Sequence, residues 1–160
     1  MKLRILTEND EAALTELLTN AKIKKTYMLP DFDRQEDAIP LARKLIDLSR
    51  NEARFVRGME EHGTLAGFLN DVEITGGCME LGYVVHPAHW GKGFATAALT
   101  LAMEELFRLG YQEVICGAFA ENAASIRVME KAGMRRIKKT DEIEYRGKLH
   151  RCVYYSSAIF

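Results

Sequence analysis

The stretch His86-Pro87-Ala88-His89-Trp90-Gly91-Lys92-Gly93-Phe94-Ala95-Thr96 joins a strand-like run, Glu80-Leu81-Gly82-Tyr83-Val84-Val85, to a strongly apolar run from Ala95 to Leu109. Two glycines and a lysine therefore sit where a helix begins. The first backbone N–H groups of a helix have no partner inside it, and the helix dipole places partial positive charge there. Glycine lets a bulky anion approach the backbone without meeting a Cβ. The pattern predicts a phosphate cradle beside the end of a strand.

Spacing separates the phosphate ligands. A triphosphate-binding loop ends in Gly-Lys followed by Ser or Thr and opens on a glycine. Here His86 occupies the first position and Gly93 the last. A dinucleotide loop fares better, since Gly91-x-Gly93-x-x-Thr96 lacks only the third glycine. A second strand-helix-strand half should then follow, and the remaining 64 residues do not obviously supply one.

The third candidate is coenzyme A. The run Trp90-Gly91-Lys92-Gly93-Phe94-Ala95 resembles the acetyl-CoA signature of the GNAT acetyltransferase superfamily: Arg or Gln, two residues, Gly, one residue, then Gly or Ala. Trp90 departs from it at the first position. Continued to Thr96, the run resembles the Rim-type ribosomal-protein N-acetyltransferase branch. A second block, Glu121-Asn122-Ala123-Ala124-Ser125 through Glu130-Lys131-Ala132-Gly133-Met134, is similar to that branch's Asn-x-x-Ser and Glu-Lys-x-Gly-Phe, with Met134 for Phe. The blocks have the family's order and separation, and the first 50 residues match only loosely.

Composition bounds the answer without deciding it. The 160 residues suit a single domain, 1–160, and a chain of this size buries roughly 70% of its unfolded surface. A net charge of −1 gives no general reason to bind nucleic acid or an anionic membrane. No apolar window of the ~18 residues needed to cross a bilayer and no signal peptide is seen, so no membrane partner is expected. Cys78, Cys116 and Cys152 are odd in number and widely spaced, with no metal or disulfide pattern, which points to a reduced, cytoplasmic setting.

Periodicity predicts strand Leu3–Leu6 and a helix starting at Thr7 with an apolar face of Ala12, Leu14, Leu17 and Leu18. Lys22 to Phe32 is a connection. Asp33 is expected to cap a helix reaching about Asn51, kinked or split by Pro40. Strands follow at Arg54–Met59, Thr64–Ile74 and Met79–His86. The helix from Ala95 is apolar nearly all round and is expected to pack deeply. Strand Glu113–Ala118, helix Ala123–Ala132 and a hairpin of Ile137–Glu144 with Leu149–Ile159 complete the chain. The order β-α-α-β-β-β-α-β-α-β-β holds one strand-helix-strand unit, expected to form a right-handed parallel pair. The fold class is α/β (α+β). The resemblance implies the GNAT fold, a mixed, mostly antiparallel twisted sheet of six to seven strands, helices on both faces, and a splayed parallel pair.

Transfer of an acetyl group from a thioester to an amine needs a polarised carbonyl, a neutral amine and a proton for the leaving thiolate. The resemblance places the pantetheine arm along Tyr83, Val84 and Val85, with the Val85 N–H placed to polarise the carbonyl. It gives Gly91, Lys92, Gly93, Phe94, Ala95 and Thr96 to the phosphates, with Lys92 otherwise a solvated loop lysine. Asn122 would bond the pantetheine arm and Ser125 would lie near the sulfur, although both residue types also suit a helix start. Many superfamily members use a Tyr seven residues after the Asn to protonate the thiolate; that position is Met129, leaving Ser125 as the leading donor. Alternation places Glu80 on the face of Gly82 and Val84, where it is either a general base acting through water or a salt-bridged edge carboxylate. His86 and His89 lack a third ligand, and no metal is expected. Tyr145, Tyr154 and Tyr155 either line the acceptor cleft or enter the core. The expected activity is acetyl-CoA-dependent N-acetylation of a primary amine, on a protein N-terminus or a small molecule. A second copy of the chain, as a homodimer, is carried as a candidate partner. The rivals are a non-catalytic acyl-CoA-binding module and a dinucleotide-binding oxidoreductase.

Overall fold

The computed structural model describes residues 1–159. Its elements are β1 (Lys2–Arg4), α1 (Glu11–Thr19), α2 (Ile39–Ser49), β2 (Val56–Glu61), β3 (Thr64–Thr75), β4 (Cys78–Val85), α3 (Phe94–Arg108), β5 (Glu113–Phe119), α4 (Ala123–Lys131), β6 (Arg135–Tyr145) and β7 (Lys148–Ala158). Short 3-10 turns at Glu8–Asp10, Ile23–Lys25, Gln35–Ala38 and Pro87–His89 join them. The seven strands form one sheet in the order β1-β2-β3-β4-β5-β7-β6. Antiparallel pairs dominate, and β4 with β5 is the parallel pair expected around α3.

The chain divides into two compact units. One holds Met1–Asn70 and Tyr83–Phe94; the other holds Asp71–Gly82 and Ala95–Phe160. The core of the first gathers Leu14, Leu17 and Leu18 of α1, Ala42 and Ile46 of α2, Val56, Phe68 and Val84. The i, i+3, i+4 spacing on α1 is the amphipathic stripe that drives such burial. Ser49, fully enclosed, donates its hydroxyl to Val56 O and accepts the Leu6 N–H, so no polar group is stranded there. In the second unit α3 buries Ala98, Leu99, Ala102, Met103 and Leu106.

Several boundaries and faces differ from the sequence expectation. β1 lies earlier, at Lys2–Arg4, and Leu6 belongs to the core instead. Ala12 is exposed and the next residue, Ala13, packs inward. Pro40 neither kinks nor splits a helix. It sits in the first turn of α2, where its missing N–H has no acceptor to lose, and Asp33 caps nothing. α3 is not deeply packed all round, for Ala97 and Leu101 face solvent. Alanine satisfies a helix without demanding burial, so an alanine-rich stripe overstates the buried face.

Candidate active site

β4 carries the change that makes the site. Met79 and Leu81 are buried in alternation with Cys78 and Glu80, as a pleated strand requires. The alternation then breaks, because Val84 and Val85 are both buried. Val84 therefore joins the core with Phe68 rather than sharing a face with Glu80, contrary to the simple alternation expected from sequence. The parallel ladder pairs Cys78–Leu81 with Glu113–Cys116, and β4 continues beyond its end to Val85.

Gly67 of β3 explains how the backbone can follow this path. A Cβ at Gly67 would lie 2.1 Å from the Val84 carbonyl oxygen and 3.0 Å from Val85 Cα. Only glycine allows two strands to come so close. The Ala66 carbonyl beside it accepts the His86 N–H at 2.8 Å. The sequence reading passed over Gly67 as one residue of a strand, although an isolated glycine inside such a run is the signal of close backbone approach.

The glycine loop is tied back to this strand end. The Trp90 indole N–H donates to the Val85 carbonyl at 2.7 Å, so the residue that departs from the signature is the anchor of the loop. His86 Nδ1 accepts the Ala88 N–H and its Nε2 faces a Glu16 carboxylate oxygen at 2.8 Å. Both ring nitrogens are engaged, which makes His86 a loop brace. His89 stacks on Phe94 with ring centroids 5.3 Å apart. Among the described residues no group of three or more His, Cys, Asp or Glu side chains is placed to hold a metal. Gly91 and Gly93 have φ of +76° and +78°, a region that L side chains rarely adopt, and a Cβ on either would meet no atom within 4 Å. Open space over glycines at the start of α3, beside the exposed Lys92 and the half-buried Phe94, Ala95 and Thr96, is the form a phosphate cradle requires. In the same unit, the Lys22–Phe32 connection is held by Lys24 on Asp31 at 2.6 Å and by the Tyr27 hydroxyl on Asn70 at 3.0 Å.

The second unit holds Glu80, Asn122 and Ser125. Asn122 is the N-cap of α4, its side-chain oxygen accepting the Ser125 N–H at 3.1 Å. Asn122 and Ser125 are thus brought together. Met129, seven residues after Asn122, is fully buried. Glu80 is mostly enclosed, and burial pushes its carboxyl pKa up; Lys139 opposes this, while Glu73 and Asp141 add to it. Lys139 Nζ lies 3.9 Å from the Glu80 carboxylate and 4.4 Å above the Tyr154 ring. Tyr154 donates its hydroxyl to Asp141 at 2.9 Å. Burial, and then that bond, raise its pKa, so it stays protonated across any working range. Tyr145, Tyr154 and Tyr155 are all buried. Cys116, enclosed in β5, has its thiol pushed up by burial and is no nucleophile. Lys139 and Asp141 lie far from Glu80 in the chain, and no sequence spacing announces them.

In this chain a strand-to-helix glycine loop is fastened to a strand whose pleat breaks beside it. Residues 1–135 match the family described as "Acetyltransferase (GNAT) domain". The chain belongs to the GNAT acetyltransferase family. It is similar to the L-methionine sulfoximine/L-methionine sulfone acetyltransferase of Salmonella typhimurium, 29% identical over 143 residues, covering 83% of this chain and 79% of that protein. Its fold is that of the Salmonella typhimurium acetyltransferase that modifies the N-terminal serine of ribosomal protein L7/L12 (TM-score 0.84, 19% identity, covering 99% and 94% of the two chains). It is also that of Vibrio cholerae spermidine N-acetyltransferase, solved with CoA and spermine (TM-score 0.82, 20% identity, 98% and 94%). This GNAT enzyme is an acetyl-CoA-dependent acetyltransferase, which leaves the binding-module and oxidoreductase readings behind. Among its described residues no helix is long and apolar enough to cross a membrane.

Proposed function

We propose that the enzyme acetylates a primary amine, through direct attack of the neutral nitrogen on the acetyl carbonyl of acetyl-CoA. The observation that carries this reading is Glu80, an enclosed carboxylate whose proton affinity is raised by burial. Such a group accepts an amine proton near neutral pH better than an ordinary carboxylate does. The nitrogen bonds to the carbonyl carbon, and the excess proton passes to Glu80, directly or through one water. The carbon–sulfur bond then breaks and the thiolate takes a proton from the Ser125 hydroxyl or from a water that Ser125 orients; the alkoxide or hydroxide so formed is reprotonated through solvent, to which Glu80 returns the amine proton. The Val85 N–H polarises the carbonyl, Tyr83 and Val84 flank the pantetheine arm, and Asn122 bonds it. The amides of Gly91 to Thr96, with Lys92, receive the phosphates.

An α-amino group is the acceptor that best matches this base. Its pKa of about 7.7–8.0 leaves a useful neutral fraction at physiological pH, whereas a lysine at about 10.4 demands a stronger base. The relatives point the same way in part: one modifies an N-terminal serine, and another acts on methionine derivatives. Spermidine acetylation by a third keeps polyamines among the candidates. The braced Lys22–Phe32 connection and the Arg146-Gly147-Lys148 turn are the segments we assign to acceptor choice. Residues 1–160 are taken as one catalytic domain, and the three free thiols support a cytoplasmic setting.

The test is CoA release from acetyl-CoA in the presence of three acceptors: a short peptide with a free N-terminus, methionine sulfoximine and spermidine. Amine-dependent release with at least one, and acetylated product by mass, is expected. Release that is indifferent to every amine, with acetate as the product, overturns the proposal.

A further inference from the structure

Between Arg136 and Thr140 the β6–β7 register slips. Arg136 pairs with Tyr155 and Thr140 with Val153, so Ile137, Lys138 and Lys139 on β6 oppose Tyr154 alone on β7. Such bulges re-aim side chains, and here the result is specific. Lys139 leans over the Tyr154 ring, with its ammonium 4.4 Å from the centroid, and ends 3.9 Å from the Glu80 carboxylate. Two strands, β5 and β7, lie between Glu80 on β4 and Lys139 on β6 in the sheet order. The ammonium must therefore pass over both of them. The surface it crosses is kept low by Gly117 of β5, where a Cβ would meet the Tyr154 ring at 2.7 Å. The Tyr154 hydroxyl is fixed on Asp141. Gly117 seats the ring, the ring carries the cation, and the cation faces the carboxylate.

We infer that Lys139 is a positioning residue for Glu80, keeping the carboxylate ionised and aimed so that it can serve as the base. This rests on the amine-acetyltransferase reading above. The surroundings of Glu80 explain why a cation is needed. Glu73 of β3 and Asp141 of β6 repel its charge, and Cys78, Cys116, Cys152 and Tyr154 surround it with neutral groups. Lys139 is the cation that opposes them. At 3.9 Å the contact is too long for a hydrogen bond and acts through charge. Because the lysine side chain is 42% exposed, the appropriate strength is that of a pair in water, about fivefold in the ionisation equilibrium. Loss of the cation raises the proton affinity of Glu80, so the base form is lost at a higher pH.

The experiment is a set of kcat/KM–pH profiles with one identified amine acceptor, for wild type, K139M, K139R, E80Q and the K139M/E80Q double variant. K139M is expected to be about fivefold slower on the acid side of the profile and to converge on wild type at high pH, with acetyl-CoA affinity unchanged. K139R should restore the acid limb, because it returns the charge. In the E80Q background K139M should have no further effect, which identifies the coupling as running through Glu80. A K139M loss that is uniform across pH, or equal in both backgrounds, overturns the inference while leaving Glu80 as the base. An E80Q profile parallel to wild type instead removes the base reading, and the role of Lys139 falls with it.

Discussion

Gly67→Ala drives one methyl group into the backbone of the neighbouring strand, β4. Its carbon would stand 2.1 Å from the Val84 oxygen, so β3 and β4 must part locally by roughly 1 Å for an acceptable contact. Neither neighbour is a flexible side chain. The cost should reach the upper end of the overpacking range, about 3 kcal/mol. For a chain of this length that lowers Tm by roughly 6–12 °C. The same displacement moves Val84 and Val85, which the proposed mechanism uses to hold and polarise the thioester. A misplacement of about 1 Å can cost about a hundredfold in rate, so kcat/KM should fall far more than stability alone explains. Gly58→Ala is the comparison. Its Cβ would meet the ends of the Leu6 and Leu65 side chains at 2.8 Å, and these can rotate away. Thermal unfolding and a CoA-release assay on both variants decide the matter. If Gly67→Ala melts within 2 °C of wild type and keeps its turnover, the close strand approach is not what shapes the site.

Gly93→Asn tests the cradle without backbone strain, since Asn tolerates positive φ. It should weaken CoA binding about tenfold or more by calorimetry through lost phosphate contacts, while the unliganded Tm stays near that of wild type; affinity within about twofold of wild type refutes the assignment. Glu80→Gln should slow turnover about a hundredfold below the acceptor's pKa and much less above it, read from the pH–rate profile; a parallel profile counts against Glu80. The same variant should be more stable than wild type above neutral pH. Burial raises the folded-state pKa of Glu80, so the fold prefers it protonated. The charge therefore costs stability as pH rises through the unfolded and then the folded pKa, and costs nothing in acid. Melting curves at pH 8 and pH 4 should differ by a gain of roughly 1–2 °C at the higher pH only. Ser125→Ala should lower kcat about three- to tenfold, evenly across pH, because the hydroxyl does not titrate there; full activity leaves water as the donor.

Legibility of the chain followed the range of the forces involved. The β4–α3–β5 unit was readable because a strand, a turn and an apolar helical run followed by a β-branched strand are local patterns, although the all-round apolar look of α3 overstated its buried face. The Asn122 cap was readable for the same reason. Pro40 misled because a proline reads as a break until the helix start is known, and the helix begins one residue before it. The face of Glu80 misled because alternation assumes an unbroken pleat, and the break at Val84–Val85 depends on Gly67 of the neighbouring strand. The partnership of Glu80 with Lys139 was out of reach altogether. It needs the strand order β4-β5-β7-β6, the slipped register opposite Tyr154 and the flat surface at Gly117, none of which any single segment encodes.

Trp90 has a further consequence. It is the only tryptophan in the chain, its residue is 49% exposed, and its indole N–H is bound to the backbone of Val85. Indole emission responds to hydrogen bonding and to local water, so this one side chain is an intrinsic optical reporter on the loop. No dye or engineered label is needed to follow it. A change in tryptophan emission on rapid mixing with CoA would time ligand arrival separately from acetyl transfer. The residue that departs from the signature thus lets the enzyme's first step be watched in the unmodified protein.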